Sequence, residues 1–157
     1  MLKGRFGNTS GRPYIEALVI LPQLDMKSAV SFLVDTGADR TVLMPGDAKR
    51  IGIDCRQLSR AGEMVGVGGT CRNYFTSAYV LFSEESRRLF AYRIDIQIAE
   101  EKPEIMDIPS LLGRDILSQW RMNCSPKENL LTFHVLSADM TTLLSKRSAR
   151  PKPAKLK

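Results

Sequence analysis

The segment FAYRIDIQI, residues 90–98, limits the available folds more than any other part of the chain. Tyr92, Ile94, Ile96 and Ile98 lean one way, and Arg93, Asp95 and Gln97 lean the other. A period of two belongs to a strand with one buried face, whereas a helix would scatter these side chains around its axis. The same texture recurs in Tyr14–Leu21, which ends at Pro22, and in Ala29–Val34, which Asp35-Thr36-Gly37 stops. TVLM is a short apolar run before Pro45-Gly46, and Tyr74–Phe82 and Asn129–Leu136 read as further strands. LDMK, SEESRR and the acidic EEKPEIMD read as connections, and GDAKRIGI as a short helix. IPSLLGRDILSQWRM reads as a strand, a glycine, then one or two helical turns in which Ile116, Leu117 and Trp120 share a face. Many short strands between Gly/Pro turns predict an all-β domain. A chain of 157 residues, 43% apolar, suits one domain with a real core.

The ends differ from the body. Residues 1–13, with GRFGNTSGRP, read as a flexible arm, and residues 137–157 as a basic, disordered tail, leaving 14–136 as the folded domain. The formal net charge is +6, and the last twelve residues, KRSARPKPAKLK, hold six Lys/Arg and no acid. Without them the basic residues equal the 17 acidic ones. Such a tail has too little to bury to fold alone. Its charge suits nucleic acid, acidic lipid or an acidic protein. It lacks the interleaved aromatics that stack on bases, so a solubilising role is the plainer reading.

No apolar run approaches the roughly 20 residues of a membrane-spanning helix. Ala17–Leu21 follows Glu16 and precedes no cleavage-site pattern, so it reads as a strand and not a signal peptide, and the expected compartment is the cytoplasm. Cys55, Cys71 and Cys124 are odd in number, include no C-x-x-C pair, and are expected reduced. Their spacing with His134 does not match short zinc-ligand knuckles, so no metal is expected. His134, the only histidine, falls on a terminal apolar strand away from any Ser-His-Asp set, which leaves nucleophilic hydrolysis without support.

The chemistry concentrates around FLVDTGADRTVL. Asp35 directly follows Phe32, Leu33 and Val34, and a charge at the end of a buried strand is costly unless something uses it. Gly37 and Ala38 are small enough for a tight turn. Alone, Asp-Thr-Gly could be an ordinary turn cap. Further on, GEMVGVGGTCRNYF places glycines at 62, 66, 68 and 69 between two apolar-alternating arms, a hairpin signal with a glycine-rich tip. No Gly-Lys-Ser/Thr follows, which argues against a phosphate loop and a nucleotide cofactor. Then comes LLGRDIL. SFLVDTGADRTVL and IPSLLGRDILSQW are weakly alike, as a duplicated strand-turn unit would be.

Taken together and in this order, FLVDTGADRTVL, VGVGGT and LLGRDIL resemble the retropepsins, the retroviral-type single-domain aspartic proteases, over residues 30–120. The resemblance implies an acid-protease closed barrel with one short C-terminal helix. It also implies an aspartic endopeptidase that acts on peptide or protein substrates without a cofactor. Two carboxylates around one water would do the work: one takes the water's proton while the other, protonated, donates to the carbonyl oxygen. Carboxylates about 3 Å apart share a single proton. The chain has one Asp-Thr-Gly, so the second carboxylate is expected from Asp35 of a second copy, on the axis of a homodimer.

By the same resemblance, Thr36 bonds across the axis and Gly37 offers backbone contacts beside the carboxylates. Ala38 and Asp39 line the substrate cleft, with Asp39 within reach of Arg114. Val67, Gly68 and Gly69 belong to a flap that closes on the peptide. Gly113 packs behind the catalytic loop, Arg114 braces it, and Asp115 starts the short helix. Val34, Val42, Val67 and Ile108 are apolar candidates for pocket walls. Three features depart from the family pattern: Arg40 stands where many members have a second acid, the loop AEEKPEIMD is long, and the tail is extra. The last strand, Asn129–Leu136, is the expected dimer strand. The rival reading is a catalytically silent, pepsin-like module that binds peptides or mediates dimerisation.

Overall fold

A computed structural model describes residues 1–58, 60–66 and 69–144. Its strands are β1 (Leu2–Lys3), β2 (Arg5–Phe6), β3 (Pro13–Leu21), β4 (Met26–Val34), β5 (Val42–Leu43) and β6 (Arg60–Gly66). They continue with β7 (Gly69–Ser83), β8 (Arg88–Ala99), β9 (Leu111–Leu112), β10 (Trp120–Ser125), β11 (Leu130–Val135) and β12 (Met140–Leu143). The helices are α1 (Pro45–Ile51) and α2 (Arg114–Leu117).

Six strands close a barrel in the order β3-β4-β9-β5-β8-β7, with β7 returning to β3. The β3–β4 hairpin runs from Tyr14↔Leu33 to Leu21↔Met26. It turns at Asp25, which takes the left-handed conformation (φ 51°) that Asp tolerates better than most residues. β7 and β8 pair from Asn73↔Ala99 to Ser83↔Leu89. The alternation in residues 90–98 appears as expected: Tyr92, Ile96 and Ile98 are fully buried, while Arg93 is exposed. Phe32, Leu43, Val80, Phe82, Leu112 and Ile116 complete the barrel interior.

A second sheet, β1-β11-β10, closes one end. Trp120 joins it to the barrel, its ring 4.7 Å from Phe82 and 5.1 Å from Phe133. Its indole N–H donates to the Tyr92 hydroxyl (2.6 Å), which donates to the carbonyl of Ser137 (2.9 Å). Both amphipathic rings thus bury their bodies with their polar atoms satisfied. Burial pushes the Tyr92 phenol above its ordinary pKa, and the Trp120 hydrogen bond offsets part of that rise. α1 shows ordinary end signals: Pro45 in the first turn, Asp47 near the N-terminus, Lys49 and Arg50 near the C-terminus, and Gly52 at φ 89° closing it.

The structure differs from the sequence reading at both ends. Residues 1–13, read as a flexible arm, supply β1, paired to β11, and β2, paired to β3, with Leu2 buried. A buried leucine and two strand pairings anchor a segment whose composition alone suggests mobility. Residues 137–144, read as part of the tail, include β12, which pairs with β8 from Met140↔Ala91 to Leu143↔Arg88. Residues 145–157 lie outside the described residues. Trp120 does not share a helical face with Ile116 and Leu117: α2 ends at Leu117 and Trp120 opens β10. Among the described residues, no helix is long and apolar enough to cross a membrane.

Candidate active site

β4 delivers Asp35 to the end of the barrel, and β9 holds it there. The two strands run parallel, Leu33↔Leu111 and Val34↔Leu112. Leu33 N–H donates to Ser110 O (2.8 Å) and Asp35 N–H to Leu112 O (3.1 Å). A one-residue slip of β4 would invert its buried face, and these bonds fix the register. The chain then turns sharply. Ala38 N–H donates back to Asp35 O (3.2 Å), and Gly37 N–H to Asp35 Oδ1 (2.9 Å). Asp35 and Ala38 are half-buried, while Thr36, Gly37 and Asp39 are exposed.

The segment after β9 crosses behind this turn. Arg114 N–H donates to Ala38 O (2.8 Å) and Asp115 N–H to Asp39 O (3.2 Å). Gly113 is required by contact: a Cβ there would lie 2.3 Å from Arg40 C and 2.4 Å from Arg40 O. Asp115 does more than start α2. Its carboxylate accepts from Thr41 N–H (2.9 Å), Thr41 Oγ1 (2.7 Å) and Ile116 N–H (3.0 Å), while Thr41 Oγ1 also accepts from Gly113 N–H (3.2 Å). The two weakly similar stretches, 31–43 and 108–120, are therefore clasped side by side. Arg114 forms an ion pair with Asp39, both side chains more than half exposed, a geometry that contributes little to stability.

Thr41 and Ser110 are site residues that the sequence reading missed. Both are fully buried. Ser110 Oγ accepts from Met44 N–H (3.0 Å) and donates to Asp47 (2.7 Å), and Asp47 holds Arg50 at 2.7 Å. Arg50 in turn donates to Ala29 O on β4 (3.0 Å). α1 is thereby tied to the strand that carries Asp35. The available signal was a polar residue inside an otherwise apolar run, Thr41 in TVLM and Ser110 before Leu111-Leu112.

The fold thus gathers Asp35, Thr36, Gly37, Ala38, Asp39, Gly113, Arg114 and Asp115 into one cluster. The glycine-rich segment forms the β6–β7 hairpin, closing at Gly66↔Gly69. Val67 and Gly68 lie outside the described residues, and Gly69 opens β7. Of the expected pocket walls, Val34 (7% exposed) and Val42 (2%) are core residues, and Ile108 (41%) is exposed. Val42 packs with Met44 and Ala99, which removes it from a cleft surface. A cavity of about 330 Å³, lined by Pro45, Ala48, Cys55 and Ala99 among others, contains no residue of the Asp35 cluster.

One carboxylate cannot at once accept the proton of a water and donate one to a carbonyl. The other carboxylates of the cluster are committed, Asp39 to Arg114 and Asp115 to Thr41.

The family model of gag-polyprotein putative aspartyl proteases matches residues 23–119, a span that includes both clasped loops and the hairpin. No curated protein matches the chain. Among solved structures, a retropepsin-like aspartic protease from Rickettsia conorii aligns over 83% of this chain and 95% of its own, at 21% identity and a TM-score of 0.53, a likeness of fold. Also similar are the EIAV protease complexed with the inhibitor HBY-793 and the retroviral protease-like domain of Ddi1 from Leishmania major. The first has 25% identity, 71% and 90% coverage and a TM-score of 0.43. The second has 19% identity, 87% and 98% coverage and a TM-score of 0.42. With a family match running through the clasped loops and the closed barrel around them, this chain belongs to the gag-polyprotein putative aspartyl proteases, a retropepsin-like family.

Proposed function

We propose that the protein is an aspartic endopeptidase whose reacting pair is Asp35 from each of two copies. The observation that carries this reading is the state of the three carboxylates in the cluster. Asp39 and Asp115 are engaged, whereas Asp35 is half-exposed and uses Oδ1 only for the Gly37 N–H. Its other oxygen has no partner among the described residues. The second carboxylate that hydrolysis needs is then supplied by symmetry. Water adds to the scissile carbonyl carbon. Its proton passes to the ionised Asp35, and the protonated Asp35 of the other copy donates to the carbonyl oxygen. Collapse of the tetrahedral species breaks the C–N bond, with a proton delivered to the departing amine. The substrate lies extended, held by backbone hydrogen bonds, with the β6–β7 hairpin as the element that closes over it.

The second copy docks on β10. The expected dimer strand, β11, is flanked on both sides, by β1 and by β10. Among the described residues β10 pairs with β11 alone, and Arg121, Met122, Asn123 and Cys124 are all exposed.

The test is cleavage of a diverse peptide mixture at about pH 4 to 7 by the wild type and by Asp35→Asn. The wild type is expected to cut and the variant to lose about 100- to 10,000-fold in rate, the scale of positioned acid–base catalysis. Equal cleavage by both would remove Asp35 as the catalyst. Absence of cleavage by either, with dimers present, would favour the peptide-binding module. Removing residues 146–157 should leave cleavage intact, which separates a protease from a protein whose main task is binding polyanions through its tail.

A further inference from the structure

We infer that Arg40 selects substrates carrying an acidic side chain at one fixed position beside the scissile bond; this rests on the endopeptidase reading. The ionic inventory of the clasped loops leads to it. Asp39 is taken by Arg114, and Asp115 by Thr41 and the Ile116 N–H. Arg40 is exposed and makes no hydrogen bond or ion pair with any described residue. Apart from Asp35, it is the only charge of the two loops without a partner among the described residues.

The backbone beneath Arg40 is held firmly. On one side Asp39 O accepts from Asp115 N–H, and on the other Thr41 N–H donates to the Asp115 carboxylate. The peptide group between Arg40 and Thr41 also lies against Gly113, closer than any side chain at that position would permit. The Cα–Cβ direction of Arg40 is therefore fixed, and meeting a partner orders only its own side chain. The turn that starts at Asp35 and closes at Ala38 brings Arg40 to the same end of the barrel as the reacting carboxylate.

An extended substrate presents alternate side chains to opposite sides. A cation fixed on the loop therefore faces one substrate position and not its neighbours. A guanidinium recognises a carboxylate through two parallel N–H···O bonds, which a glutamine or asparagine amide cannot reproduce with the same charge. The selected class is thus a peptide with Asp or Glu at that position, in place of a uniformly apolar segment.

The experiment measures cleavage of a peptide mixture by the wild type, Arg40→Gln and Arg40→Glu, scored for each enzyme as the ratio of rates for Glu-bearing and Gln-bearing versions of the same peptide. The wild type should show a ratio of about five at one position, the upper end of what a solvent-accessible ion pair supplies. Arg40→Gln should bring that ratio to about one, and Arg40→Glu should bring it below one, in favour of the Gln-bearing peptide. A ratio that is the same in all three enzymes would overturn the inference, as would an acid preference spread evenly over many positions. If the wild type cuts nothing, the endopeptidase reading fails by itself. Retention of the same peptide pairs by Asp35→Asn and by Asp35→Asn/Arg40→Glu then decides the role of Arg40. Tighter retention of the Glu peptide that reverses in the double variant supports it, and equal retention overturns it.

Discussion

The stability of the site rests on contacts whose members lie 72 and 74 residues apart. Thr41 Oγ1 donates to Asp115 and accepts from Gly113, both within hydrogen-bond distance and away from bulk water. Thr41→Val keeps the shape but leaves the buried Gly113 N–H without its acceptor and removes one of the two donors to Asp115 Oδ1, a change that costs about 1–3 kcal/mol. In a chain of this size that corresponds to a melting temperature lower by roughly 2–10 °C, readable by thermal denaturation. Asp39→Asn breaks only the exposed pair with Arg114 and should cost less than about 1 kcal/mol. A larger loss from Asp39→Asn than from Thr41→Val would reverse this ranking. Gly113→Ala is a harsher test. The new methyl would meet Arg40 backbone at 2.3–2.4 Å, and since backbone cannot yield as a flexible side chain does, destabilisation of at least about 1–3 kcal/mol is expected. Much of this site was legible in the sequence, because Asp35 interrupts an apolar strand at a turn and Gly113 is the type that a close backbone approach demands. Thr41 and Ser110 were not, because a hydroxyl in an apolar run signals a partner without saying where in the chain that partner is.

Among the elements, those with a period of two were legible: β3 and β4 bury one face, and β8 alternates over its middle, whereas β11 was legible only as an apolar run and buries Leu131, Thr132 and Phe133 in succession. β1 and β2 are two residues each, too short for any periodicity, and their existence depends on partners distant in sequence. β10 was hidden for a different reason. It buries Trp120 and exposes the next four residues, so no alternation marks it, and the preceding Ile116 and Leu117 suggest a continuing helix. What places Trp120 in the sheet is tertiary: three aromatic neighbours and the hydroxyl of Tyr92. This nest makes stability depend on pH at the alkaline end. Burial raises the Tyr92 phenol above its ordinary value of 10.0, with the Trp120 hydrogen bond opposing in part. The folded state therefore holds the phenolic proton more tightly than the unfolded state. The associated stability is complete below about pH 10 and is lost as pH rises through the folded-state pKa. Tyr92→Phe should lower the melting temperature at pH 7, because Trp120 N–H loses its acceptor. It should also show a shallower fall between about pH 9 and 11 than the wild type. Parallel curves for the two proteins would remove Tyr92 as the source.

At the scale of the whole molecule, a closed barrel leaves few places where a second copy can extend a sheet. Closure consumes both edges of β3, β4, β7 and β8, and β11 is flanked on both sides. Among the described residues β10 keeps one edge open, as do β1, β6 and β12 at the ends of their sheets; within Trp120–Ser125 there is no proline or lysine, and Arg121 is the single charge, while Pro126 and Lys127 come only after its end. Two copies joined there would form one continuous sheet across a two-fold axis, the symmetry that a shared pair of Asp35 carboxylates requires. Met122, 40% exposed on this strand, is the probe. In the proposed dimer, Met122→Asp would place two like charges near the axis, where each disfavours the other. In the single chain the same exposed position should tolerate the change within about 0.5 kcal/mol. The expected result is a dimer dissociation constant raised at least about 10-fold by sedimentation, with specific activity falling at correspondingly higher protein concentration than in the wild type. The melting temperature of the dilute, monomeric chain should be unchanged. If Met122→Asp dimerises like the wild type, the copies meet elsewhere. If wild-type specific activity stays constant down to clearly monomeric concentrations, one chain carries the whole site, and the second carboxylate must be sought within it.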